Sequence, residues 1–305
     1  MYNKTHEPQI LMPTNDLNFK RLFASPQHIN ISTGFLQDLA EYDPLGYLKI
    51  SSFTIETPYN FKDVNQLRID SERDMMLTEV DYACVDEDGM RFMLEMQKRD
   101  LSYLEERIVY NVGQKYAQRY SLDAKKHSKY STLTPVIAVV ILEDNHFNDD
   151  VAIRFMRPYD ARHNVYKNSK NLGLEIYIEI NKPADNLPKN LQYWLQYFRT
   201  GRVPKCAPDY INEAMTMSEI SSLSKEERDL ADLIERIEQK RIAEDLAAKN
   251  KAMTEGFNQG FNQGIEQGEN TKAIEIAKSM LVKELELLLI TELTGLTMEE
   301  VERLQ

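Results

Sequence analysis

The sequence predicts an α/β chain, in detail a mixed α+β sheet flanked by helices, followed by an all-helical C-terminal extension. Three observations lead there. Short, largely apolar runs, such as "VDYACV", "FMLEM", "PVIAVVIL" and "LEIYIEI", are separated by stretches with helical spacing. Their order reads αα, β, ββ, α, β, β, α, which suits a mixed sheet with helices packed on it. Beyond residue 205 the strand signals stop, and the chain becomes charged and rich in Ala, Glu and Lys.

The first helix opens at "PTNDLNFKRLFAS", where Asn15 or Asp16 can cap it and Leu17, Phe19, Leu22 and Phe23 form an apolar face. "ISTGFLQDLA" reads as a second helix. "YLKISSFTIETPYNF" reads as a strand closed by Pro58. A hairpin follows, with Val80 to Val85 as one arm, Asp86-Glu87-Asp88-Gly89 as the turn, and Met90 to Gln97 as the return. Residues 101–120 read as a helix with Leu101, Leu104, Ile108, Val112 and Tyr116 on one face, and Arg107, Tyr110 and Gln114 on another. Residues 134–142 and 172–181 read as buried strands. Residues 190–201 read as an amphipathic helix ended by Gly201, and "RVPKCAP" as a linker.

The predicted domains are therefore 1–205, a charged helical extension over 206–252, and a Gly-repeat helix with short terminal helices over 253–305. In that last segment Gly256, Gly260, Gly264 and Gly268 recur every four residues. Each costs a helix about 0.8–1 kcal/mol relative to Ala, so the segment reads as a weak helix or a linker unless another backbone packs on its glycine stripe. Gly295 then breaks the chain, and Thr297 with Glu300 forms a capping box. The break resembles a helix-turn-helix, but its last helix carries Glu299, Glu300 and Glu302. A recognition helix needs the opposite sign, so these helices point to protein contact, and we expect a homo-oligomer through them.

Composition narrows the function. No apolar run approaches the roughly 20 residues of a membrane span, so no membrane partner is expected. The N-terminus lacks a basic segment followed by an apolar one. The two cysteines, Cys84 and Cys206, form no CxxC, and His is sparse, which argues against zinc. These features lead us to expect a cytoplasmic protein. The net charge of −12 is uneven: residues 115–205 carry 15 Lys and Arg against 9 Asp and Glu. The stretch "KYAQRYSLDAKKHSKY" (115–130), with Lys115 and Arg119, is suited either to a phosphate backbone or to a solvated helix end and loop.

The hairpin carries the oddest pattern. Glu95 and Gln97 share one face of the return arm. If Val85 sits opposite Arg91, Asp81 sits opposite Glu95, with Cβ atoms about 4.5–5.5 Å apart. Two buried carboxylates at that distance repel. Spacing alone leaves two readings open. The acids face water, as on many surface hairpins, or they share a hard divalent cation such as Mg²⁺ or Mn²⁺. The apolar Phe92, Met93, Leu94 and Met96 give the return arm the look of an inner strand.

Taken in order, "NDLNFKRLF", "EVDYACVDEDGMRFMLEMQ", "ERIVYNVGQKYAQRY", "PVIAVVIL", "YIEINKP" and "YWLQYF" resemble the Rpn-type recombination-promoting nuclease and transposase family, of the PD-(D/E)XK nuclease superfamily. The resemblance covers about residues 10 to 200, and the glycine repeat is similar to tails in that family. It implies a restriction-endonuclease-like core and a Mg²⁺- or Mn²⁺-dependent DNA endonuclease. Asp81 and Glu95 would hold the metal, Gln97 would stand where the general signature has Lys, and Asp16 would approach the metal from the first helix. Arg107 and Tyr110 would meet a phosphate. A neutral Gln can orient water but adds no charge. The alternative is a catalytically silent nuclease-fold protein that binds DNA or protein.

Overall fold

Side-chain alternation and burial sort this chain into a sheet covered on both faces. The structure, a computed structural model, describes residues 8–50, 52–56, 58–59, 82–98, 103–122, 133–162, 165–166 and 172–304. The helices are α1 (Asp16–Phe23), α2 (Ile29–Glu41), α3 (Leu104–Leu122), α4 (Lys189–Thr200), α5 (Asp209–Met217), α6 (Lys225–Leu281), α7 (Leu287–Thr294) and α8 (Met298–Glu302). The strands are β1 (Phe53–Ile55), β2 (Tyr82–Asp86), β3 (Arg91–Gln97), β4 (Val136–Leu142), β5 (Ile153–Met156), β6 (Tyr159–Asp160), β7 (Val165–Tyr166) and β8 (Glu175–Glu179). β6 and β7 pair as a small separate ribbon. Expected Val80, Asp81 and Leu101, and residues 123–130 of the basic stretch, lie outside the described residues.

The main sheet has the order β1-β2-β3-β4-β8-β5. β1, β2 and β3 run antiparallel, β3-β4 and β4-β8 are parallel, and β5 returns antiparallel to β8. Parallel neighbours need a crossover, and α3 supplies it between β3 and β4. β4 is buried at every position, as an inner parallel strand must be. Phe92, Leu94, Met96, Ile137, Val139, Ile141, Ile176 and Ile178 point to one face. There they join Phe19, Phe23, Phe35, Trp194 and Phe198 from α1, α2 and α4 in the main core. The other face is smaller. Ala138, Val140, Leu142 and Tyr177 pack there against Leu104 and Ile108 of α3.

Local chemistry explains the helix ends. Asn15, and not Asp16, caps α1: its Oδ1 accepts the Leu17 and Asn18 amides at 3.1 and 3.4 Å. α4 ends at Gly201 with φ 68°. The helical extension expected over 206–252 is split, because α5 stops at Met217 and α6 starts at Lys225. α5 joins the main core through Ile211 and Ala214. Its Tyr210 ring presses so closely on α2 that a Cβ on Gly34 would lie 2.5 Å from it.

Contacts divide the chain into two units at Ile237/Glu238. In the first, Leu230 and Ala231 of α6 bury against Leu17, and Glu227 pairs with Arg21 at 3.1 Å. In the second, α6 stays helical through the glycine repeat, and a Cβ on Gly256, Gly260, Gly264 or Gly268 would meet nothing within 4 Å. Ala277, Ile290, Leu296 and Val301 make a small core of their own. The Thr297–Glu300 capping box is present, and Gly295 sits at φ 74°. Among the described residues no helix is long and apolar enough to cross a membrane.

Candidate active site

The acidic turn sets the site's frame. Gly89 takes φ 82°, open to glycine at little cost. The Asp86 carboxylate accepts the Met90 amide at 2.7 Å, and the backbone closes with Asp86 N to Met90 O at 2.9 Å. These bonds fix the hairpin register, which pairs Val85 with Arg91 and Tyr82 with Leu94. That is the register expected from the sequence. Asp81, the position before Tyr82, lies outside the described residues.

The register turns Glu95 and Gln97 to the α3 face of the sheet, while Leu94 and Met96 turn to the main core. Glu95 is only 2% exposed. α3 brings it two polar partners. Leu104 and Ile108 anchor that helix on β4, and Arg107 and Asn111, one turn apart, flank the anchor. Arg107 Nη2 lies 2.7 Å from Glu95 Oε1, and Asn111 Nδ2 reaches Oε2 at 3.5 Å. Arg107 Nη1 also donates to Gln97 Oε1 at 3.4 Å. One guanidinium thus spans both residues of the Glu-x-Gln pair.

The contacts are close but poorly directed. Among the described residues no N–H aims at Glu95 Oε1 despite the 2.7 Å separation, and Arg107 Nε is buried without a hydrogen bond. Burial pushes the Glu95 carboxyl above its ordinary range, against the smaller opposing pulls of the Arg107 charge and the Asn111 hydrogen bond. A buried carboxylate oxygen with spare lone pairs, beside a neutral amide oxygen, fits a hard divalent cation. Among the described residues no group of three or more His, Cys, Asp or Glu side chains is arranged to hold a metal.

The remaining expected residues fall at different depths. Asp16 is in the first turn of α1, and nearby Thr14 hydrogen-bonds Glu143, just past β4. Tyr110 is 61% exposed, and its hydroxyl accepts a bond from Gln114. Lys115 is half-buried on α3, and the side chain of Arg119 lies outside the described residues. Lys98 has the opposite strand parity from Glu95 and lies 3.8 Å from Glu235. Cys84 is a poor nucleophile, since burial pushes its thiol up to about 12.

Sequence reasoning missed Asn111. Its signal was the i, i+4 spacing from Arg107, whereas the expected polar face followed Arg107, Tyr110 and Gln114. It also missed the network around Glu179. That carboxylate, 1% exposed, accepts the His146 and Phe147 amides at 2.7 and 3.0 Å and pairs with Lys182 at 2.5 Å. Lys182 also donates to Phe147 O at 2.8 Å and Asp149 at 3.2 Å. All of these bonds except the Lys182–Glu179 pair tie the loop after β4 to the end of β8.

A family model described as PD-(D/E)XK nuclease family transposase matches residues 13–244. No curated protein and no solved structure gives a significant match to the chain.

Proposed function

Since the chain belongs to the PD-(D/E)XK nuclease family transposases, we propose that it is a divalent-metal-dependent DNA endonuclease that hydrolyses phosphodiester bonds. The observation that carries this reading is Glu95, a buried carboxylate with an oxygen short of directed hydrogen bonds, two residues from Gln97 on an inner strand.

Asp81 and Glu95 would hold Mg²⁺ or Mn²⁺. The expected hairpin register, whose Val85–Arg91 pairing is present, supports pairing these two acids. When bound, the metal supplies charge stabilisation at the scissile phosphate and a more acidic water. Gln97 would orient that water through its amide oxygen. Asn111 steadies the second oxygen of Glu95. Arg107, Tyr110, Lys115 and Arg119 would offer a donor or charge to DNA phosphates along α3, and Asp16 would approach the metal from α1. Neutral Gln in place of Lys removes one positive charge from the transition state, so the expected cost falls on rate.

In this reading the enzyme works in the cytoplasm as a homo-oligomer. The C-terminal helices are the assembly segment, supported by the exposure of Phe257, Phe261, Leu288 and Leu293. One observation favours the second reading, a catalytically silent DNA- or protein-binding module: Arg107 already neutralises Glu95. Calorimetric titration with Mg²⁺ and Mn²⁺ separates the two. The nuclease reading expects saturable binding that is lost in Asp81→Ala and Glu95→Ala. No binding at millimolar metal favours the silent module.

A further inference from the structure

The Glu95–Arg107 contact is held by charge more than by hydrogen-bond geometry. The 2.7 Å approach leaves Glu95 Oε1 without an aligned donor and Arg107 Nε buried without a partner. Lys182, just past β8, instead makes hydrogen bonds in proper geometry to Glu179, to the Phe147 carbonyl and to Asp149. Arg107 is also less confined, with 25% of its side chain exposed against 2% for Lys182. Its guanidinium can therefore leave Glu95 for solvent without disturbing Leu104 and Ile108, which anchor α3.

Position matters as much as fit. Arg107 touches Glu95 and Gln97, the pair assigned above to the metal and its water. A divalent cation binds carboxylate oxygen at about 2.0–2.6 Å. Bound to Glu95 Oε1, it would compete with a guanidinium nitrogen for the same oxygen, and two cations that close in a buried site repel strongly. We propose that Arg107 is the resident counter-cation of Glu95, neutralising it in the metal-free site and exchanging with the divalent cation. The exchange frees the guanidinium to take a DNA phosphate, so metal loading and DNA binding favour one another. This rests on the nuclease reading of the site.

The sign of one change tests it. Mn²⁺ alone is titrated calorimetrically into the full chain and into Arg107→Gln, with circular dichroism to confirm folding. Exchange predicts that Arg107→Gln binds Mn²⁺ at least about tenfold tighter, because the competitor is gone. It also predicts weaker binding of a short DNA duplex in Mn²⁺. If Arg107 only keeps Glu95 ionised, the variant binds Mn²⁺ equally or more weakly, and that result overturns the exchange while leaving the nuclease reading intact. Binding by Arg107→Gln alone supports exchange and makes the wild type a blocked site. Binding by neither protein overturns both readings. If Arg107→Gln does not fold, the wild-type guanidinium is followed by NMR during Mg²⁺ titration. A shifted Arg107 Nε–H signal supports exchange, and an unmoved one at saturation overturns it.

Discussion

Glu95 and Glu179 project from the same face of the sheet, on β3 and β8, and are 2% and 1% exposed, yet their surroundings are opposite. Glu179 has two amide donors and a buried lysine. Among the described residues Glu95 has one imperfect ion pair and a 3.5 Å contact. A fully satisfied buried carboxylate holds a fold together. An undersatisfied one is destabilising unless a ligand completes it.

Glu95→Gln should therefore stabilise the metal-free protein at neutral pH. The folded Glu95 carboxyl is raised above its ordinary value of 4.5. The folded state then binds the proton more tightly than the unfolded chain, and stability falls as pH rises from the ordinary value through the raised one. In chelator, Glu95→Gln should melt higher than wild type above that window, and the gap should close below the ordinary value. Each 1 kcal/mol gained moves the melting temperature by about 2–4 °C in a unit of this size. A variant that melts lower at neutral pH would mean that the Arg107 contact outweighs desolvation.

Lys182→Met should do the reverse. It strips the buried Glu179 of its nearest cation, leaving the Arg154 guanidinium at 3.8 Å, and the Phe147 carbonyl of a donor. Removing one partner of a buried pair costs about 3–5 kcal/mol. Chemical denaturation should give a large drop in midpoint, and hydrogen exchange should show loss of protection around His146 and Phe147.

Gly34→Ala should strain the α2–α5 contact. The new Cβ would lie 2.5 Å from the Tyr210 ring, whose hydroxyl is fixed to Asp38 Oδ2 at 2.9 Å. Asp38 also accepts from Trp194 Nε1 at 2.9 Å, so the ring cannot move without disturbing a buried network. Overpacking of this kind costs about 1–3 kcal/mol, read as a lower melting temperature.

Gly260→Ala with Gly264→Ala separates helix strength from helix pairing. Both glycines are exposed in α6, so the intrinsic gain is about 0.8–1 kcal/mol each. Helical ellipticity should persist to higher temperature. If the glycine stripe admits a second helix, light scattering of the full chain should show a smaller assembly. Unchanged mass would remove the stripe from the interface.

Much of the sheet was legible because its signals are local. Alternation fixed the faces of β3, and the Asp-Glu-Asp-Gly turn fixed the Val85–Arg91 register. The partners of Glu95 were harder to read. Arg107 was found on α3, but its contact with Glu95 depends on how α3 lies across β3 and β4, which no local pattern states. Asn111 was hidden for the same reason. The split between α5 and α6 escaped because good helix formers on both sides of 218–224 mask the break. The Ser-rich "SEISSLS" turn is set by tertiary bonds, including Leu11 N to Ser218 O at 2.8 Å and Asn18 Nδ2 to Ser218 Oγ at 2.9 Å. The glycine repeat remained helical although its sequence suggested weakness.

The most direct test of the central claim is nicking of supercoiled plasmid by wild-type protein and by the Asp81→Ala/Glu95→Ala double variant, in Mg²⁺, Mn²⁺ or chelator, with circular dichroism on each. We predict cutting by the wild type in metal alone, and none by the folded double variant. A folded double variant that cuts at the wild-type rate would contradict the assignment of the site.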